Sequence, residues 1–138
     1  DVYFNSPGGS LLAAMSVGRL LRERGFDTYV GRRSAELRQP GAAVCYSACP
    51  FGFAGGVRRF LETESVLGVH AAANSVPVPD EFAFQQLVEA QATQYLDEMG
   101  VSTALLSLMR GVPHDGIRLL TLDEAVGLRL VNAATARE

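Results

Sequence analysis

The residues of this sequence best equipped for chemistry are a serine, a histidine and a pair of glycines that lie far apart along the chain. Ser47 stands between Cys45 and Cys49 in AVCYSACPFGFAGG, residues 42–55, where a short apolar strand candidate runs into small residues. A serine where a strand ends and a helix starts gains from the helix dipole, and the N–H of the next residue has no helical partner. That is the setting of a nucleophile, and equally of a plain helix cap. His70 ends VLGVH at the edge of a strand candidate, placed for general-base work or for a purely structural hydrogen bond. NSPGG, residues 5–9, closes a first strand with two glycines, whose backbone can turn N–H groups toward an anion or a carbonyl. The same residues also serve as a turn and nothing more.

The separation of Cys45 and Cys49 around a tight junction predicts a disulfide across Ser47, a bond that persists only in an oxidising compartment. Two thiols packed as small hydrophobes are the alternative. Cys45, Cys49, His70 and His114 are also four possible zinc ligands, but the two histidines are too far apart for the usual paired spacing. No metal and no cofactor is expected.

Alternating strands and helices must position these groups. DVYFN opens as a strand entered almost at its end, without a starting methionine or signal peptide, so upstream sequence is expected. Ser10 caps a helix with Leu11, Leu12, Met15 and Leu21 near helical spacing, and Gly25 ends it. FDTYV reads as a strand, 31–43 as a mobile polar loop, 43–45 as a short strand, and SACPFGFAGG as a helix start with Pro50 in its first turn. RRFLE and SVLGVH are strand candidates. Asp80 caps a long helix through Met99, with Phe84, Leu87, Val88, Gln91, Tyr95 and Met99 along one stripe and Gly100 closing it. Ser102 opens a further helix that Gly111 stops, TLDE is a capping box for a last one, and 128–132, LRLVN, is expected to close the chain as a strand. The pattern is that of an α/β fold.

Composition narrows the function. With 138 residues the chain supports one domain, 1–138, around a single core. Its formal charge of −3, with scattered basic residues, speaks against nucleic acid as a partner, and no stretch is apolar for long enough to span a membrane. All 12 basic residues are arginine, so no lysine base or Schiff base is available within the chain.

Taken together, NSPGG, YSAC, GVH, AGGVRRF and LTLDEAVGLRLVN resemble, in that order, the proteolytic subunit of the Clp protease and the wider ClpP/crotonase superfamily. The resemblance runs from Asn5 to about Asn132, and is nearest to an extracytoplasmic branch with a Cys-x-Ser-Ala-Cys segment. It implies a stacked β-β-α superhelix with a protruding handle at about 80–111, and a homo-oligomer paired through the handle helix by Phe84, Leu87, Tyr95 and their neighbours. It also implies a serine peptidase acting on peptides or proteins: Ser47 attacks after His70 takes its proton, and the oxyanion sits between the N–H groups of Gly9 and Ala48. The family aspartate falls at Ile117, which cannot orient an imidazole, so Asp115 is the nearest candidate for the third member. A Ser–His dyad and a degenerate, non-catalytic scaffold or binding module therefore stay open. The Ser–Lys peptidases of the superfamily need a lysine that is absent, and the acyl-CoA branch ranks below peptide hydrolysis. The branch resemblance and the cysteines point to the periplasm, with the cytoplasm as the alternative.

Overall fold

The computed structural model describes residues 1–71 and 79–135. Their elements run β1 (Val2–Phe4), α1 (Leu11–Glu23), β2 (Thr28–Val30), β3 (Val44–Tyr46), α2 (Cys49–Phe53), β4 (Arg59–Leu61), β5 (Val66–Val69), α3 (Glu81–Met99), α4 (Ala104–Arg110), β6 (Arg118–Leu120) and α5 (Leu122–Gly127). Local chemistry sets their ends. The Ser10 hydroxyl accepts from the Ala13 N–H, and the Asp80 carboxylate from that of Ala83. In α5, Thr121 and Glu124 exchange both bonds of a capping box, and Gly100 ends α3 in the left-handed region.

The strands form two small sheets. In one, β1, β2 and β4 lie parallel in that order; in the other, β3 and β5 are parallel and β6 is antiparallel to β5. Beyond Phe4 the first strand crosses from one sheet to the other: the Ser6 N–H donates to Val44 O at 2.8 Å and the Tyr46 N–H to Ser6 O at 3.0 Å. That crossing brings the glycine turn to the C-terminal end of β3.

Helices α1 and α2 meet backbone to backbone, since a methyl group on Gly55 would lie 2.2 Å from the carbonyl oxygen of Gly18. Around this crossing Phe51, Phe53, Leu67, Tyr95 and Leu105 are wholly buried. The Tyr95 hydroxyl donates to the carbonyl of Phe51, which satisfies its one polar atom in the core. Tyr95 therefore packs inside its own chain and is not available to an intersubunit contact; Leu87, two turns earlier, is 56 % exposed.

Two further expectations are corrected. Residues 128–132 form no strand. Arg129 has φ 61°, and the N–H groups of Leu128 and Leu130 return to the carbonyls of Glu124 and Ala125, so the segment is the unwinding end of α5. Two of its carbonyls are satisfied by a side chain: the buried Arg59 guanidinium donates to Leu130 O and Arg129 O, and also to Gly56 O beside them, while Leu128 O accepts from the Ser102 N–H. Arg22 holds the adjoining carbonyls of Ala54, Gly55, Gly56 and Met99 in the same manner. Burial, together with the charge of Arg22, pushes the Arg59 guanidinium down to about 10. The last strand is instead β6, which the sequence pattern did not mark. The polar stretch 31–43 is closed at its base by Arg32 and Gly41, whose backbones exchange hydrogen bonds of 2.9 and 2.8 Å.

Candidate active site

Ser47 lies between the end of β3 and the start of α2, with a backbone φ of 64°. Left-handed backbone is uncommon for a residue with a Cβ and marks a sharp turn held by its surroundings. Ser47 does not cap the helix. Ala48 occupies the N-cap position, and no side chain bonds the first turn of α2. The Ser47 N–H continues the sheet ladder, donating to Gly68 O at 3.1 Å.

That ladder aligns Ser47 with the strand that carries His70. β3 and β5 run parallel with Tyr46 beside Gly68, and β5 ends at Val69. Ser47 and His70 thus leave the C-terminal ends of adjacent strands. The Nδ1 atom of His70 is 2.8 Å from the carbonyl oxygen of Ala71. A carbonyl only accepts, so this bond requires the proton on Nδ1 and leaves the lone pair on Nε2.

The glycine turn reaches the same place. A methyl group on Gly8 would lie 2.8 Å from Ser47 Cβ and 3.2 Å from Ser47 Oγ, and Gly8 has φ 130°. Only a residue without a side chain fits against the serine there. The Gly8 N–H is taken by Ser6 Oγ at 3.2 Å. The N–H groups of Gly9 and Ala48 make no hydrogen bond among the described residues. A cavity of about 100 Å³ is lined by Leu11, Ala71, Val88, Ala92, Leu106 and Met109, with the Glu89–Arg110 ion pair at its wall; neither Ser47, His70 nor the turn glycines line it.

Asp115 is not joined to these groups by a hydrogen bond among the described residues. It sits exposed in the turn closed by the Gly116 N–H on Pro113 O, and makes no hydrogen bond to His70 among the described residues. The antiparallel pairing of β5 with β6 ends at Val69 and Arg118, one residue short of His70 and Ile117, and the Ala71 N–H donates instead to Val112 O at 2.8 Å. The partner that His70 does have, a main-chain carbonyl, carries no side-chain signature and was invisible to sequence reasoning. The Sγ atoms of Cys45 and Cys49 are bonded, with their Cα atoms 5.1 Å apart. Both thiols of the four-residue zinc set with His70 and His114 are thereby consumed.

No protein-family model matches the sequence, and no curated protein does. Among solved structures, the chain is similar to the crystal structure of a peptidase from Plasmodium falciparum, with a TM-score of 0.65 and 15 % identity, over 98 % of this chain and 77 % of that one. The chain has the fold of that peptidase. At this identity the likeness concerns the path of the backbone, and the chemistry of the site rests on its own residues.

Proposed function

We propose that the protein is a ClpP-like serine peptidase that cleaves peptide bonds through an acyl-enzyme on Ser47. The observation that carries this reading is a serine held at φ 64°, at the strand end beside that of a histidine whose Nδ1 is engaged by a carbonyl. In this reading Nε2 of His70 takes the hydroxyl proton as Oγ bonds to the substrate carbonyl carbon. The carbonyl oxygen becomes an oxyanion facing the N–H groups of Gly9 and Ala48, and the imidazolium returns its proton to the departing amine. Water then repeats the sequence on the ester. The apolar cavity by Leu11 and Ala71 offers space for a substrate side chain. His70 works as one half of a dyad, oriented by Ala71 O, with Asp115 outside the site.

The superhelix and handle of the family belong to the same proposal, with α3 as the handle, and so does a homo-oligomer. Phe82 and Leu87 on the first half of α3 are 73 % and 56 % exposed, which gives such a contact apolar surface. The disulfide fits an oxidising, periplasmic setting. A specific observation favours a second reading, a non-catalytic scaffold: the ring partner of His70 among the described residues is the carbonyl of Ala71 and not a carboxylate. An activated fluorophosphonate separates the two. The peptidase reading expects a covalent adduct on Ser47, abolished by Ser47→Ala, together with turnover of fluorogenic peptides. An unlabelled wild-type protein that also cleaves nothing is the scaffold.

A further inference from the structure

Cys45 and Cys49 take no part in the chemistry above, yet their bond encloses its nucleophile. Cys45 is the middle residue of β3 and wholly buried; Cys49 is the first residue of α2 and 5 % exposed. The loop they close contains Tyr46, Ser47 and Ala48, that is, both the left-handed serine and an N–H group that makes no hydrogen bond among the described residues. Crowding between Cβ and the carbonyl oxygen disfavours positive φ for serine, so an unconstrained turn relaxes toward negative φ. On the strand side Ser47 is held by its bond to Gly68 O. On the helix side no side-chain cap fixes the start of α2, and the link from strand to helix is the disulfide.

The bond is poorly suited to any other task. Closing so short a loop restricts the unfolded chain less than a long one does, so its contribution to global stability is at the low end for a disulfide. Once reduced, both thiols still suit the apolar positions they occupy. Its effect is concentrated on the junction between them.

We propose that the Cys45–Cys49 disulfide positions Ser47, so that reactivity of the serine requires the oxidised pair. The inference rests on the serine-peptidase reading and concerns the control of that same site. The reductant is a dithiol: one of its thiolates attacks a cysteine sulfur, a mixed disulfide forms, and its second thiol displaces the protein sulfur. Two electrons and two protons pass to the cysteines, and the dithiol leaves as a cyclic disulfide. Without the link, Ser47 leaves positive φ, and its Oγ and the Ala48 N–H turn from the positions that the serine-peptidase reading gives them.

The test compares the full chain in oxidised form, after dithiothreitol with both thiols verified by mass, after reoxidation, and as Cys45→Ala/Cys49→Ala. Three readouts are taken: the rate of fluorophosphonate labelling at Ser47, the thermal transition, and amide exchange. Reduction is expected to slow labelling by about tenfold or more and reoxidation to restore it. The thermal transition stays cooperative, and exchange quickens over 46–51 while α3 is unchanged. Labelling rates that agree within about twofold between the oxidised and reduced proteins overturn the proposal while leaving the serine reading intact. Loss of the cooperative transition on reduction also overturns it, because the bond is then a general staple. Absence of labelling in the oxidised protein overturns the serine reading, and this one with it.

Discussion

An imidazole that donates from Nδ1 to a neutral carbonyl is held in the right tautomer but receives no negative charge to stabilise its cationic form. His70 is in that position, one residue beyond the last pair of β5 with β6, Val69 with Arg118, whose continuation leads to Ile117. Residues directly opposite in an antiparallel pair point to the same face. Ile117→Asp is therefore expected to raise kcat/KM for a fluorogenic peptide by about tenfold or more. The acidic limb of the pH–rate profile moves to higher pH, since an adjacent aspartate favours the imidazolium. An unchanged profile and rate would remove Ile117 from the site. Gly8 makes a complementary test. Alanine there has to adopt φ 130° and push its Cβ to 2.8 Å from that of Ser47, so Gly8→Ala should suppress labelling of Ser47 by about tenfold or more at modest cost to stability. The candidate residues, as distinct from their roles, were legible in the sequence. Ser47, His70 and the glycine turn could be singled out because a serine and a histidine at strand ends and two glycines in a turn suit catalysis, although each also suits a structural role. Ala71 could not, because its contribution is a main-chain oxygen that every residue owns, and which oxygen faces a ring depends on the path of the chain.

At the scale of elements, legibility followed the strength of local chemistry. The starts of α1, α3 and α5 and the end of α3 could be read to within a residue, because Ser10, Asp80, Thr121 and Gly100 act on their own immediate neighbours. LRLVN was misread as a strand, since its apolar spacing suits either state and what decides it is Arg59, a residue distant in sequence that satisfies the carbonyls. β6 was missed for the converse reason: three residues with an arginine first carry little pattern, and the pairing with β5 makes them a strand. The capping box of α5 yields a measurable consequence. Its bond from the Thr121 backbone N–H, together with Arg118, holds the Glu124 carboxyl below its ordinary value of 4.5. A depressed carboxylate adds stability that is present above its unfolded value and lost as pH falls through its folded one. The melting temperature is thus expected to drop below about pH 4.5, and Glu124→Gln, which keeps an acceptor for Thr121, should flatten that drop. Thr121→Ala removes the other half of the box and should cost about 1 kcal/mol in chemical denaturation.

Across the whole molecule, α3 divides into two halves with different surroundings. Ala92, Tyr95, Leu96 and Met99 are sunk in the core, and Arg19 pairs with Glu98 at the surface, so the C-terminal half is anchored. The N-terminal half carries Phe82 and Leu87 into solvent. If these residues are the contact between copies, Phe82→Glu/Leu87→Glu should convert an assembled species to monomer in sedimentation velocity and leave the thermal transition of the core in place. A wild-type protein that sediments as a monomer at micromolar concentration would count against assembly through this helix.

The fastening of residues 128–133 reaches beyond the stability of that segment. β4 is the outer strand of its sheet, and such a margin ordinarily offers unpaired groups to a foreign chain. Here the Asn132 side chain accepts from the Arg59 N–H, while the N–H groups of Asn132 and Ala133 both donate to Arg59 O, so the main-chain groups of Arg59 are already in use. The protein thereby blunts one border of its own sheet with its own later residues. A strand that approached β4 from outside would meet Arg59 already paired within its own chain.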